Sequence, residues 1–246
     1  MQTYLTGFNG VSEALKRGRG ILLVARQNSR TAQLKKLAQE KKVAVRTVSG
    51  EDLDRLVPGG AHRGFALEVR EANRNNAPLL LEDICGRAGD NSLLLVLDGI
   101  TDPQNLGTVL RSSDQFGADA VVIPRRRSVG KDADSLSRSS SGAVEWVPIV
   151  EVANIARALE ELKAGGYWIW GADMAGEALT KVNLKGKTVV VMGREGEGLH
   201  RLVREKCDGL VSIPTGGRLD SLNVATAAGI LLYEVRRQQG FPGIKL

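Results

Sequence analysis

Three stretches of the sequence combine glycines with amide, hydroxyl, carboxylate and guanidinium side chains, each close after an apolar run. They are residues 98–111, 192–198 and 214–223. Glycine allows a backbone to approach a ligand closely, and a few polar side chains then fix the orientation of that ligand. The three stretches therefore predict a pocket that is lined by backbone groups as well as side chains.

The first and third stretches also fit a purely structural interpretation. Asn105 can cap the helix that follows it, and Arg111, six residues further on, can reach back toward the strand ends. Ser221 can cap the last helix. Taken alone, Asn105 and Arg111 slightly favour a helix cap and a surface arginine over a functional pair.

The middle stretch differs from two familiar glycine-rich sites. A dinucleotide-binding loop needs G-x-G-x-x-G after the first strand and an acid about 20 residues later, but these glycines follow the fifth predicted strand. A P-loop ends in Gly-Lys-Ser/Thr, whereas here the chain continues Gly198-Leu199-His200. The acids Glu195 and Glu197 also argue against a phosphate cradle.

The elements that must position these stretches alternate along the chain from residue 92 onward. Strands are predicted at residues 93–98, 120–124, 144–150, 168–172, 189–192 and 210–213, and helices around residues 106–110, 152–159, 199–203 and 221–237. This alternation is typical of a parallel sheet covered on both faces. Ligands bind beyond the carboxyl ends of the strands in such sheets, which is where the three polar stretches fall.

The beginning of the chain predicts a smaller α/β unit. Its strands are expected at residues 21–25, 43–48 and 64–69, and its helices after an Asn9 cap, around residues 34–38 and at residues 51–57. An Asn-rich piece and a proline then predict a linker with one helical turn. We expect three parts, at residues 1–71, 72–91 and 92–246.

Charge is concentrated in the first of these parts. The chain has a net charge of +6, and residues 1–71 carry 13 Lys and Arg against 7 Asp and Glu. Arginine makes up 22 of the 34 basic residues, and its planar side chain binds phosphate and stacks on bases. A nucleic-acid partner is favoured over a merely solvated basic face.

Apolar runs and cysteines exclude other classes of protein. No apolar run approaches the ~18 residues of a membrane span, and the first twenty residues lack the apolar stretch of a secretory signal. Cys85 and Cys207 lack the spacing of a disulfide framework or a zinc site. We expect a cytoplasmic protein with free thiols, no membrane partner and no metal.

Three segments resemble, in order and spacing, the motifs of the SpoU/TrmH branch of the SPOUT methyltransferases. They read DPQNLGTVLRSSDQFGADAVVIP, VVVMGREGEGL and VSIPTGGRLDSLNVATAAGILLYEVRRQ. Residues 4–69, with YLTGFNGVSEAL and His62-Arg63-Gly64, are similar to the substrate-binding domain of the bacterial members that methylate a guanosine of 23S ribosomal RNA. Asn9-Gly10 and the run Arg125-Arg126-Arg127 depart from that pattern.

The resemblance implies a fold and an activity. The fold is a parallel-sheet methyltransferase domain with a C-terminal trefoil knot, preceded by an L30e-like RNA-binding domain of ribosomal-protein type. The activity is transfer of a methyl group from S-adenosylmethionine (SAM) to a ribose 2′-hydroxyl of RNA. In this family two subunits pair so that each active site draws on both, which predicts a homodimer.

The resemblance also assigns roles to residues. It places SAM against Met192, Gly193, Gly196, Ile213, Leu222 and Asn223, and the polar active-site positions are Asn105, Arg111, Glu195, Ser221 and Asn223. The arginine of the first motif is the family's group for removing the proton. Because an arginine is ordinarily always protonated, orienting the ribose and phosphate is its milder role. A bulky side chain at Gly193 should block SAM with the fold nearly intact.

Other functions remain open at this point. They are the same reaction on tRNA, a non-catalytic RNA-binding protein and a nicotinamide-dependent enzyme. The RNA-binding alternative leaves the glycine loop and the Ser221-Leu222-Asn223 tripeptide unexplained, and the nicotinamide alternative has its glycines in the wrong place. Of the two histidines, His200 is expected on a helix surface, while His62 could contact RNA.

Overall fold

The computed structural model describes residues 2–16, 18, 20–58, 62–70, 79–125, 147–194, 196–217 and 221–244. The chain forms two compact units, Met1–Ala77 and Pro78–Leu246. None of the helices within the described residues is long and apolar enough to span a bilayer.

The first unit is an α/β unit with a mixed sheet. Its elements are β1 (Gln2–Leu5), α1 (Phe8–Lys16), β2 (Ile21–Val24), α2 (Ser29–Glu40), β3 (Ala44–Thr47), α3 (Gly50–Leu56) and β4 (Phe65–Arg70). The strand order is β1-β4-β2-β3. β2 is parallel to β3 and antiparallel to β4, so the end of β2 and the start of β4 lie at the same edge of the sheet.

Local sequence explains most of this first unit. The four residues of β2 are apolar and mostly buried, and Leu23 packs with Leu53 of α3 in the core. Asn28 caps α2 by accepting from the backbone N–H of Thr31 at 2.9 Å, and the Thr31 hydroxyl accepts from the Asn28 N–H in return. This reciprocal cap satisfies two donors that the first helical turn cannot satisfy itself.

The second unit contains a parallel sheet. Its elements are α4 (Leu81–Arg87), β5 (Leu93–Leu97), α5 (Pro103–Gln115), β6 (Ala120–Pro124), β7 (Ile149–Val152), α6 (Ile155–Ala164), β8 (Trp168–Ala178), β9 (Thr188–Met192), α7 (Arg201–Glu205), β10 (Gly209–Ser212) and α8 (Val224–Gln238). Among the described residues, six strands pair in the order β10-β8-β9-β5-β6-β7, and every pair is parallel.

Both faces of this sheet are covered, as the alternating pattern predicts. Leu93, Leu95 and Leu97 of β5 point into one core with α5 and α8. Leu94 and Val96 of the same strand point into the other core, with α4, α6 and α7. Successive side chains of a strand alternate between faces, so a continuous apolar run marks a strand that is buried on both sides.

Several predicted elements differ from the observed ones. β1 was not predicted, α1 begins at Phe8 and so includes Asn9, and β8 extends to Ala178. The stretch expected as a linker contains α4, whose Leu81 and Ile84 are buried in the second unit. The expected strand at residues 144–150 is observed as Ile149–Val152, and residues 126–146 lie outside the described part of the chain.

Candidate functional site

The direction in which successive strands are added to the sheet reverses at β5. β6 and β7 follow on one side of this strand, whereas β9 lies on its other side. In open α/β sheets a ligand binds beyond the carboxyl ends of the strands at such a switch point. The loops that follow β5 and β9 therefore meet at the favoured position for a site.

The loop after β9, residues 193–199, closes on itself and is called the glycine loop below. Arg194 and Gly198 exchange two backbone hydrogen bonds of 3.0 Å each. A Cβ atom at Gly193 would lie 2.2 Å from the carbonyl carbon of Gly198, a distance at which no side chain fits. Gly196 and Gly198 adopt left-handed backbone angles, with φ of 78° and 71°. The glycines thus permit a tight turn that other residues would open.

Asp98, directly after β5, holds the glycine loop at both ends. Its backbone N–H donates to the carbonyl of Met192 at 2.7 Å. Its carboxylate accepts from the backbone N–H of His200 at 2.9 Å and contacts His200 Nδ1 at 2.9 Å. The Asp98 side chain is only 7% exposed, and a buried carboxylate with well-placed donors is a rigid attachment point.

A cavity of about 380 Å³ opens between the glycine loop and the segment after β10. We call it the first cavity. Its apolar wall includes Val211, Ile213, Leu222 and Leu231, and the middle of β8 contributes Ala172, Asp173 and Met174. This volume and this mixture of apolar walls with a few polar groups are typical of a small-molecule site.

Most of the residues predicted to bind a cofactor line the first cavity. They are Met192, Gly193, Gly196, Ile213 and Leu222, and Ser221 lines it as well. Asn223, which was predicted to bind cofactor too, is not among the lining residues. β8 lies between β9 and β10 in the sheet, so the two predicted loops meet across a strand that the sequence did not place there.

A second cavity, of about 400 Å³, adjoins the first. It is lined by Gly99, Ile100, Thr101, Asp102, Asn105, Arg194, Glu197 and Val224. Arg194 and Val224 line both cavities. The Arg194 guanidinium contacts Glu197 at 2.9 Å, while its buried Nε has no hydrogen-bond partner among the described residues. A buried donor without a partner is costly, and this Nε packs against Gly99, where an added Cβ atom would lie 2.7 Å from it.

Asn105 and Asn223 meet although 118 positions separate them. The Asn223 Nδ2 donates to Asn105 Oδ1 at 2.9 Å. Both residues also line an open groove of about 830 Å³ between α5 and α8, called the α5–α8 groove. Two of the five predicted polar active-site residues are therefore in direct contact.

The predicted helix caps were wrong in both cases. α5 is capped by Asp102, whose carboxylate accepts from the N–H groups of Gln104 and Asn105. α8 is capped by Asn223, which accepts from the N–H groups of Ala225 and Thr226, and not by Ser221. Each helix begins where an Asx side chain can reach the free N–H groups of the first turn, so the Asn105 amide and the Ser221 hydroxyl are released from capping.

Arg111 lies on the exposed side of α5. It belongs to neither the lining of the two cavities nor that of the α5–α8 groove. The lining of the α5–α8 groove includes Thr108, three residues before Arg111, and Ser112, the residue after it. Glu195, the remaining predicted active-site residue, lies outside the described residues.

Both histidines form contacts within their own units. His200 lies at the N-cap position of α7 and contacts Asp98, so it supports the glycine loop rather than only a helix surface. Both ring nitrogens of His62 are engaged: Nδ1 accepts from the Gly64 N–H at 3.0 Å, and Nε2 contacts Asp54 at 2.8 Å. This histidine is therefore occupied within its own unit.

The described residues contain no group of three or more His, Cys, Asp or Glu that could hold a metal ion. Cys85 and Cys207 are free, and burial raises the pKa of the Cys207 thiol to about 12. Sequence reasoning missed Asp98, Arg194 and the middle of β8. The position of Asp98 directly after a strand was a usable signal, but its partner His200 is 102 residues away.

Comparison with known proteins assigns both units to families. The SpoU rRNA Methylase family model matches residues 92–233, and the model for RNA 2′-O ribose methyltransferase substrate binding matches residues 4–74. The chain is 41% identical over 215 residues to the 23S rRNA (guanosine-2′-O-)-methyltransferase RlmB of Neisseria meningitidis, covering 87% of this chain and 84% of that one.

Two further relatives agree. The Yersinia pestis protein with the same name is 45% identical over 204 residues, which cover 80% of each chain. The crystal structure of the SpoU methyltransferase AviRb from Streptomyces viridochromogenes, in complex with the cofactor AdoMet, superimposes with a TM-score of 0.74 at 26% identity. That match covers 96% of this chain and 90% of AviRb.

Proposed function

The chain belongs to the SpoU rRNA methylase family, and we propose how its residues divide the work of the family's reaction. The protein is a SAM-dependent RNA 2′-O-ribose methyltransferase that acts on a guanosine of 23S ribosomal RNA. The observation that carries the division of labour is the closed glycine loop beside the first cavity. This loop offers backbone groups to a ligand at the switch point of the sheet.

The first cavity is the proposed SAM site. Its apolar wall, with Ile213 and Leu222, fits a flat nucleobase, and the absent side chain of Gly193 leaves room for the loop backbone. Arg194, whose side chain is 27% exposed, also lines this cavity. When bound, SAM supplies a methyl group on a positively charged sulfonium sulfur.

The second cavity is the proposed site of the target ribose. An attacking hydroxyl must be held in line and roughly 3 Å from the methyl carbon, and Arg194 and Val224 mark where the two cavities adjoin. Asn105 lines the second cavity, and its contact with Asn223 fixes the orientation of its amide. We assign Asn105, Ser221 and Asn223 to orienting the ribose, and Glu195 to the same active site.

Arg111 is proposed to act across a dimer interface. Arg111 is not among the described residues that line the first or the second cavity, which supports this assignment. The neighbouring α5–α8 groove exposes apolar side chains, with Ile230 at 36% and Tyr233 at 46% exposure. A two-fold pairing through this groove would be isologous and would carry the Arg111 of one subunit toward the cavities of its partner.

Three further parts of the proposal concern the fold and the cell. We assign the first unit to RNA binding, because it carries the excess of positive charge and matches the substrate-binding family model. We assign it to an L30e-like fold because the family resemblance implies that fold. We assign the C-terminal region to a trefoil knot. Gln238, at the end of α8, accepts from the N–H of Leu184 and donates to the carbonyl of Val182, which supports a chain end held against an earlier connection. A cytoplasmic location fits a ribosomal RNA substrate.

The test is methyl transfer with defined RNAs. Purified protein, SAM with a labelled methyl group and unmodified 23S rRNA should give one 2′-O-methylguanosine, while tRNA transcripts should give none. Mapping the same nucleotide in rRNA from cells with and without the protein identifies the target. Methylation of tRNA alone would replace the rRNA assignment, and failure to bind SAM in calorimetry would leave an RNA-binding protein.

A further inference from the structure

The first unit carries an unusual backbone conformation at an exposed arginine. Arg63 has a φ of 51°, the left-handed region that residues with a side chain rarely adopt. It precedes Gly64, with a φ of 89°, and begins the turn into β4. A strained residue persists only where its surroundings fix it, and such residues cluster at functional sites.

Contacts on both sides of Arg63 fix this turn. The Gly64 carbonyl accepts from the N–H groups of Ala25 and Arg26, at 2.9 and 3.2 Å. On the other side, the Gly64 N–H donates to His62 Nδ1, and His62 Nε2 contacts Asp54. The His62 side chain is 12% exposed, so the turn rests on a nearly buried support.

The turn brings two arginines to one edge of the sheet. A Cβ atom at Gly64 would lie 2.9 Å from the Cβ of Arg26, so Arg26 and Arg63 emerge from touching backbones. Both residues are exposed, and neither forms an ion pair with any described residue. An unpaired, solvated guanidinium on a rigid turn loses little freedom when it binds an anion.

The surroundings add to the positive potential of this edge. Arg30 lies in the first turn of α2, whose twelve residues point the positive end of their dipole at the same edge. Two of the three acids of α3 are engaged, since Asp52 accepts from Ser49 and Asp54 contacts His62, while Glu51 is exposed in the first turn.

We infer that Arg26 and Arg63 form the surface through which the first unit contacts the phosphates of the RNA substrate. The inference rests on the proposed function, because the partner is the RNA that this unit is proposed to bind. It adds which edge of the unit makes the contact and why the strained turn is present. Because these contacts fix position and not chemistry, they act on RNA affinity and leave the methyl-transfer step unchanged.

A matched pair of variants tests the inference in the full-length protein. Arg26→Ala/Arg63→Ala removes two positive charges at this edge, and Lys41→Ala/Lys42→Ala removes two at the opposite end of β2. Lys42 also has a left-handed φ, of 56°, so the two double variants face the same backbone strain. An added variant, Arg63→Gly, relieves the strain while it removes the guanidinium.

The expected result is a selective loss of RNA affinity, measured with an unmodified 23S rRNA transcript over a range of salt concentrations. The arginine double variant should bind at least about tenfold more weakly, with a salt slope smaller by about 1.4 to 1.8. The lysine variant should stay near wild type. Arg63→Gly should bind RNA more weakly yet unfold at an equal or higher temperature, a combination that a merely structural role would not produce.

Further measurements separate this inference from the proposed function. SAM affinity and the single-turnover rate at saturating RNA should be unchanged in the arginine double variant, since uniform binding was removed. Equal losses in the arginine and lysine variants would show that only total charge matters and would overturn the inference. A wild-type protein without RNA binding or methyl transfer would instead refute the proposed function.

Discussion

Replacing Gly193 by alanine tests whether the closed glycine loop forms the SAM site. The added Cβ atom would lie 2.2 and 2.3 Å from the carbonyl carbon and oxygen of Gly198, and 2.5 Å from the N–H nitrogen of Leu199. Ordinary contacts between such atoms are about 3.5 Å or longer. All three neighbours are backbone atoms, so no side-chain rotation relieves the overlap and the loop must open by about 1 Å.

The cost of opening can be worked from the contacts that hold the loop. The Arg194–Gly198 pair of backbone hydrogen bonds would break, at about 0.5 to 1.5 kcal/mol each. Overpacking adds about 1 to 3 kcal/mol. A total of about 2 to 6 kcal/mol raises the Kd for SAM by at least about 30-fold if the loop must close again to bind. From the sequence alone, a larger side chain at Gly193 is expected to fill the SAM pocket and leave the fold nearly intact. The structure predicts instead that the added side chain distorts the glycine loop.

Isothermal titration with SAM is the assay, with circular dichroism and thermal unfolding as controls of folding. Gly216→Ala is the matched control, because a Cβ atom there would meet nothing within 4 Å. RNA affinity should remain near wild type in both variants. A folded Gly193→Ala protein whose SAM affinity lies within about threefold of wild type would refute this account of the loop.

Four more predictions follow from single side chains. Asp98→Ala should raise KM for SAM about tenfold, because it releases the glycine loop. His200→Ala should raise KM less, because the hydrogen bond from the His200 backbone N–H to Asp98 remains. Equal effects of the two variants would show that Asp98 does not hold the glycine loop in this way. Arg111→Lys and Arg111→Ala should each lower kcat by at least about 100-fold with unchanged SAM binding, and single-turnover rates that recover at high RNA would show a role in binding only. Arg236→Met should lower the free energy of unfolding by about 3 kcal/mol, measured by denaturant titration. The Arg236 side chain is buried, at 4% exposure, and its guanidinium donates to the carbonyls of Phe116, Gly117 and Asn91 and to Gln239. A change below about 1 kcal/mol would show that the site repacks around methionine. Burial raises the pKa of the Cys207 thiol to about 12. The rate of alkylation of Cys207 in the folded protein should therefore be negligible at pH 8 and rise steadily with pH. An alkylation rate that reaches a plateau near pH 9 would contradict the burial of this thiol.

Local sequence determined most strands and helices of the second unit and the positions of the polar loops, although α4 lies in the expected linker and β8 extends beyond its predicted end. A run such as residues 93–97 is apolar at every position, and only a strand buried on both faces uses such a run fully. In parallel sheets ligands bind beyond the carboxyl ends of the strands. At these ends Gly193, Ile213 and Leu222 do line one cavity. The motif spacing also identified the family that the comparisons establish.

Helix starts were harder to predict, because several capping residues compete in each loop. Asp102 and Asn105 lie three positions apart, and Ser221 and Asn223 two, so propensity alone does not select between them. The entry direction of the chain decides which side chain reaches the free N–H groups. That direction depends on packing against the sheet, which no local pattern contains.

The sequence by itself thus determined the class of fold and, through the family motifs, the reaction, since periodicity and motif spacing are local properties. Most of the residues that it predicts to bind SAM do line one cavity. Only the tertiary structure joined Asp98 to His200, paired Asn105 with Asn223 and inserted β8 between β9 and β10. It alone also placed Arg111 outside the cavities and Arg63 in a strained turn. The order of strands in the sheet sets which distant residues become neighbours, and that order is chosen by the whole core rather than by any segment of it.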